Sequence, residues 1–90
     1  MNKSEKEWGE RVRALGCLVC RRLGHLDTPC DLHHVRQGRL GVRGTDVIGL
    51  CPNHHRNGPK ALHVMGKRAF KREFGLTELD LLDDVKKLLA

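Results

Sequence analysis

Two pairs of ligand-type residues raise the first chemical question. Cys17 and Cys20 flank two residues, as do Cys51 and His54, and thirty residues lie between the two pairs. Zinc takes four soft or borderline ligands in a tetrahedron, and two such knuckles supply two each from sharply turned backbone. The chain opens on a charged run, Met1 to Glu7, with no apolar segment after it. A cytosolic setting is therefore expected, where thiols stay reduced and paired cysteines bind metal rather than each other. Cys30 competes with His54 for the fourth position. It has no knuckle partner, and a buried free thiol is the default for an unpaired cysteine, so His54 is favoured.

Two adjacent histidine pairs, His33-His34 and His54-His55, stand with single His25 and His63. If His54 serves zinc, His55 is left beside it, facing elsewhere. Neighbouring residues on a strand face opposite sides, so His33 and His34 have different tasks unless the strand is distorted. Phosphodiester hydrolysis needs such a division: one group holds a metal that neutralises the phosphate and the leaving oxygen, another orients and deprotonates water. His63 follows His55 after seven residues that include Gly58-Pro59, so one helix cannot present both. It enters from the start of the next helix, or is a surface or core histidine. His25, in a loop before Leu26-Asp27-Thr28-Pro29, is given no role.

The elements that must position these groups are short. Ninety residues with two Phe, one Trp and no Tyr build a thin core, and such a chain usually needs metals or a partner to fold. Ser4 to Glu7 fits a capping box, and Trp8, Val12 and Leu15 recur at helical spacing before Gly16, predicting a helix over 5–15. A tight turn over 17–20 follows. Strands are expected over Leu32 to Val35 and Val47 to Leu50, with the Gly-rich Gln37 to Gly44 as the loop between. A helix from about Lys60 to Phe74 should turn Leu62, Met65, Ala69 and Phe74 inward and end at Gly75, although Gly66 weakens it. Thr77 should cap a last helix over about 78–89 with an apolar stripe of Leu81, Leu82, Val85, Leu88 and Leu89. The reading is one α+β domain over 1–90, held around metal, with zinc knuckles at 17–20 and 51–54. No stretch approaches the roughly 20 apolar residues of a membrane span.

Charge adds a partner class. The formal net charge is +6, but the residues from Thr77 on carry four acids against two lysines, which leaves +8 on the chain before them. Much of that sits in Arg36, Arg39 and Arg43, then in Arg56, Lys60, Lys67, Arg68, Lys71 and Arg72. Such an excess suits a polyanion, because each neutralised phosphate releases counterions, though a solvated helix face carries the same charges.

Leu32-His33-His34-Val35 followed by Leu50-Cys51-Pro52-Asn53-His54-His55-Arg56 resembles the HNH endonuclease motif, in the subset where paired knuckles add zinc to a ββα-metal finger. More narrowly, the chain resembles the phage recombination-enhancement (Ref-like), RecA-dependent nucleases. Glu5-Lys6-Glu7-Trp8, the run Gly16 to Gly24 around the first knuckle, His63 and the close near Phe74-Gly75 carry that likeness. The first match spans about residues 17–63, the second nearly the whole chain. The resemblance implies a small zinc-stabilised ββα-metal (HNH) finger with flanking helices. It makes His34 the general base, His33 and His55 ligands of a catalytic divalent metal (Mg²⁺, Mn²⁺ or Zn²⁺), and His63 a further metal-site residue. Asp46 stands five residues before Cys51, where the family's middle Asn belongs; it accepts the loop-bracing hydrogen bond but cannot donate one.

The implied activity is metal-dependent cleavage of DNA to 3′-hydroxyl and 5′-phosphate ends, with a RecA-type filament as partner. Arg36, Arg39, Arg43, Arg56, Lys67 and Lys71 would hold the DNA backbone, positioning it without reading sequence. A non-catalytic zinc-containing DNA-binding module explains the knuckles and the charge but leaves His33, His34 and His55 as coincidence. An adaptor that docks a protein on the acidic, Leu-rich last helix is compatible with either. Metal stoichiometry separates them: the binding module and the adaptor need one site, the nuclease two.

Overall fold

Asn2, not Ser4, starts the first helix. The computed structural model describes residues 2–36 and 42–90, without the side chains of Val42 and Arg43. Helix α1 spans Lys3–Ala14, and the Asn2 side chain accepts a hydrogen bond from the Glu5 amide at 2.8 Å. Asn caps as well as Ser does, and starting at Lys3 leaves Ser4 inside the first turn. Val12 is fully buried, Trp8 and Leu15 partly, and the Trp8 indole donates to the Thr45 carbonyl at 3.0 Å. Gly9 lets this helix approach the sheet: a Cβ there would stand 2.9 Å from Leu32 Cδ1.

The first knuckle is not a simple turn. Cys17 is the N-cap of a five-residue helix, α2 (Leu18–Arg22), and its Sγ accepts from the Cys20 amide at 3.5 Å. Gly16 makes the preceding corner at φ 76°, and the Cys17 amide then bonds the Thr28 carbonyl at 2.9 Å.

Strands β1 (Asp31–Arg36) and β2 (Val42–Leu50) pair antiparallel, with Asp31 opposite Leu50, His33 opposite Ile48 and His34 opposite Val47. Strand β2 begins five residues earlier than expected; the first part of the expected loop, 37–41, lies outside the described residues. The register shifts between His34 and Arg36, an irregularity just past the histidine pair. Val47, Ile48 and Leu50 are each buried without alternation, because α1 and the last helix both pack on β2. Helix α3 (Pro52–His55) completes the ββα order.

The expected helix from Lys60 to Phe74 is two helices, α4 (Leu62–Met65) and α5 (Lys67–Phe74). Gly66 divides them at φ 84°, ψ 164°, a backbone conformation that costs glycine little and other residues much. The break turns Phe70 into the core, with Met65, Ala69 and Phe74 only partly buried. Gly75 ends α5 in the left-handed region, and Thr77 and Asp80 form a reciprocal capping box at 3.1 and 2.9 Å for α6 (Glu78–Leu88). Leu81, Leu82 and Val85 of α6 are buried, Leu89 is half-buried and Leu88 is exposed. The chain is α+β, a ββα finger between flanking helices. Among the described residues no helix is long and apolar enough to cross a membrane.

Candidate metal centre and active site

The two knuckles close on one point. Cys17 Sγ and Cys20 Sγ each lie 3.5 Å from His54 Nδ1, Cys51 Sγ lies 3.2 Å from it, and the Cys20 and Cys51 sulfurs are 3.8 Å apart. Zinc–sulfur bonds of about 2.3 Å and zinc–nitrogen bonds of about 2.0 Å give a tetrahedron with edges of about 3.8 Å (S···S) and about 3.5 Å (S···N). The cluster has those edges and could hold a zinc ion. Burial pushes the Cys17 thiol up to about 12, with Cys51 adding to the effect against weaker backbone hydrogen bonds. A divalent cation is what makes buried thiolates of such a group. Burial also lowers His54, which favours the neutral ligand form. Cys30 stays outside: buried, its thiol donates to the Arg13 carbonyl at 3.6 Å.

A second cluster forms where β1, α3 and α4 meet. His33 Nδ1 lies 3.3 Å from His55 Nε2, which lies 3.1 Å from His63 Nε2. All three ligand atoms fall within 4.8 Å of one another. Metal–nitrogen bonds of about 2.0–2.1 Å place tetrahedral ligands about 3.4 Å apart; the His33–His55 and His55–His63 separations are close to that, so the three imidazoles could hold one cation. His63 does arrive from the start of a new helix, because Gly58-Pro59 ends the run after α3 and α4 begins at Leu62.

The protonation pattern suits ligation. Burial lowers His55 first, and the neighbouring His33, His63 and Arg56 lower it further. Burial also leads for His63, with His33 and Arg56 adding to it. Neutral imidazoles are the ligand form. Among the described residues His55 Nδ1 is a buried nitrogen without a hydrogen-bond partner, and the nearest carboxylate, Asp31 Oδ2, is 4.0 Å away. An imidazole that gives Nε2 to a metal keeps its proton on Nδ1, and Asp31 at 4.0 Å is a charge neighbour of that proton beyond hydrogen-bond reach.

A cleft of about 420 Å³ opens over this cluster, bordered by Leu32, His33, His34, Arg36, His55, Arg56, His63, Lys67 and Glu78. His34 is exposed and reaches the cleft from the side of β1 opposite His33, the side Leu32 shares with α1. Of the six cations assigned to DNA from the sequence, Arg36, Arg56 and Lys67 border the cleft, and Lys71 borders a neighbouring apolar groove. Arg39 and the Arg43 side chain lie outside the described residues. Asp46 is buried on β2 beside Val47, the residue paired with His34. His25 is exposed in its loop.

Sequence reasoning missed Glu78, read only as part of an acidic helix. Its Oε2 accepts a hydrogen bond from His33 Nε2 at 2.7 Å, and its Oε1 faces Lys67 Nζ at 3.2 Å. Burial raises its carboxyl, but the bonds from His33 and Lys67 outweigh that and hold it below the usual range. An acid in the first turn of a helix is ordinary for the helix dipole, so no local signal marks it.

None of the curated proteins matches this chain. A family model described as recombination enhancement, RecA-dependent nuclease matches residues 2–90. Matched over nearly its whole length, the chain belongs to the recombination-enhancement, RecA-dependent nuclease family.

Proposed function

We propose that this nuclease is a metal-dependent DNA endonuclease of the HNH (ββα-metal) type, formed as one domain over residues 1–90. The observation that carries the reading is the triangle of His33 Nδ1, His55 Nε2 and His63 Nε2 on a ββα finger, with His34 on the same cleft. A second, structural zinc is held by Cys17, Cys20, Cys51 and His54.

His33, His55 and His63 would hold a divalent cation, which would supply positive charge at the scissile phosphate and the departing oxygen. The protein's own residues do the rest. His34, exposed and neighbouring the metal ligand His33, takes the proton from the attacking water. Arg36 and Arg56 hold the phosphates on either side of the scissile bond, contacts that position the backbone without reading its sequence. Asp46 braces the hairpin where the family carries Asn, through the accepting half of that bond alone. The products carry 3′-hydroxyl and 5′-phosphate ends. The family description supports a RecA-type filament as the partner that presents the DNA.

Plasmid nicking by purified, zinc-loaded protein with added Mg²⁺ or Mn²⁺, alone and with a RecA filament, tests this. Cleavage that needs the added metal and rises with the filament is expected. DNA binding with one tight zinc per chain and no cleavage in any arm would leave a zinc-containing DNA-binding module instead.

A further inference from the structure

Glu78 sits at the first position of α6, far in sequence from either histidine pair, and it is 9% exposed. Burying a carboxylate is costly unless it is paired and hydrogen-bonded. Here both oxygens are engaged, and both partners border the cleft: His33 Nε2 at 2.7 Å on Oε2, Lys67 Nζ at 3.2 Å on Oε1. With its Oε1 facing the Lys67 ammonium, Glu78 is a carboxylate that can only accept at Oε2, so the imidazole is the donor in the His33 contact. That puts the His33 proton on Nε2 and leaves the Nδ1 lone pair free. Nδ1 is the atom that faces His55 and His63.

We propose that Glu78 is the positioning residue of the second metal centre. It fixes the tautomer and ring orientation of His33 so that Nδ1 completes the ligand triangle, and it ties Lys67 to the rim of the same cleft. A carboxylate behind a ligating imidazole also raises the basicity of the ligand, and losing such a partner typically costs about 10–100-fold in metal affinity. The capping box of Thr77 and Asp80 gives this carboxylate a rigid base, because it fixes the helix turn on which Glu78 stands. The metal-affinity part of this inference rests on the proposed metal centre; the tautomer part does not.

The test has two readouts on zinc-loaded protein. The first is the ¹⁵N–¹H correlation of the His33 ring without added metal; the second is calorimetric titration of the second site with Mn²⁺. In the wild type His33 should be a single Nε2–H tautomer. Glu78→Ala should give a tautomer mixture and weaken Mn²⁺ binding about 10–100-fold. Glu78→Gln, whose amide oxygen still accepts from Nε2–H, should restore the tautomer and recover part of the affinity. A wild-type His33 protonated on Nδ1 would overturn the proposal. So would a Glu78→Ala protein that unfolds at lower temperature yet keeps both tautomer and affinity. Should Glu78→Ala fail to fold, Glu78→Gln decides: affinity equal to wild type removes the role of the charge. If wild type binds no Mn²⁺ at all, the metal-centre reading fails, and the ring spectrum alone still judges Glu78.

Discussion

His54 and His55 are adjacent on a four-residue helix, yet their rings belong to different clusters. His54 Nδ1 lies among the three cysteine sulfurs, and His55 Nε2 lies between His33 and His63. Helix α3 is too short to hold itself, and the Cys51–His54 knuckle is what fixes it. The orientation of His55 therefore depends on that knuckle and on any metal it holds.

Stripping that metal should thus abolish both sites together. Binding free energy of a structural zinc is folding free energy, and among the described residues Phe70 is the single fully buried Phe or Trp. Cys17→Ser and Cys51→Ser should give largely unfolded chains by circular dichroism. Strong chelation of the wild type should remove Mn²⁺ binding at the histidine cluster in step with loss of structure. Retention of that binding by the stripped protein would show that α3 is held another way.

Cys30→Ser should be mild. The thiol donates to Arg13 O and is not one of the four residues of the cluster, and a serine hydroxyl can make the same bond. A loss of about 1 kcal/mol is expected, with elemental analysis still finding one tight zinc per chain. His54→Ala should lose that zinc. Loss of zinc from the Cys30 variant would exchange the two assignments.

The knuckles, the capped last helix and the strand pair were legible in the sequence, because each rests on local spacing, whereas the grouping of His33, His55 and His63 came only as what the family resemblance implies. What was not legible depends on contacts made across the chain. Gly66 divides the Lys60–Phe74 helix, and the break turns Phe70 into the core, a change of face that periodicity does not register. Strand β2 runs back to Val42 because β1 is there to pair with it. Glu78 joins His33 only because α6 returns to the sheet, and a helix-capping region with two nearby acids hides which acid turns inward.

Acid should weaken the fold through His55 and His63. Both are lowered in the folded protein, by burial first and then by neighbouring positive groups. The native state then takes up fewer protons than the unfolded chain. Stability from this source is whole above the unfolded histidine value of about 6.5 and is lost as pH falls through it toward the lower folded values. Thermal unfolding between pH 8 and pH 5, with no second-site metal, should show a midpoint falling with pH. His63→Asn should flatten that fall, since it removes one titrating ring and a neighbour of another. An unchanged slope in the variant would refute the assignment.

Arg36 and Arg56 border the cleft, while Lys86 stands on α6 away from it. If the arginines contact phosphates, Arg36→Glu with Arg56→Glu should weaken binding to every duplex sequence about equally. It should also flatten the log–log salt dependence by about 0.9 per lost contact. Lys86→Glu should change neither. Equal effects from both sets would make the charge a general field rather than a set of contacts.

His33 and His34 are sequence neighbours with opposite settings, so their alanine variants should fail differently. His34 is exposed and its strand partner is Val47, so removing its ring leaves the core, both clusters and the cations in place. His34→Ala should fold, bind DNA and bind Mn²⁺ as wild type does, while cleavage falls by roughly the 10²–10⁴-fold typical of a lost general base. His33→Ala takes away a ligand and strips Glu78 Oε2 of its donor, leaving a buried carboxylate with Lys67 alone. It should lose cleavage together with Mn²⁺ affinity and unfold at lower temperature, by the cost of a half-satisfied buried charge. Excess Mn²⁺ should restore part of its cleavage and none of that of His34→Ala. Nicking, calorimetry and thermal unfolding on both proteins check this pattern. Rescue of His34→Ala by added metal would move the ligand role to His34, and full activity in both variants would remove catalysis from this cleft.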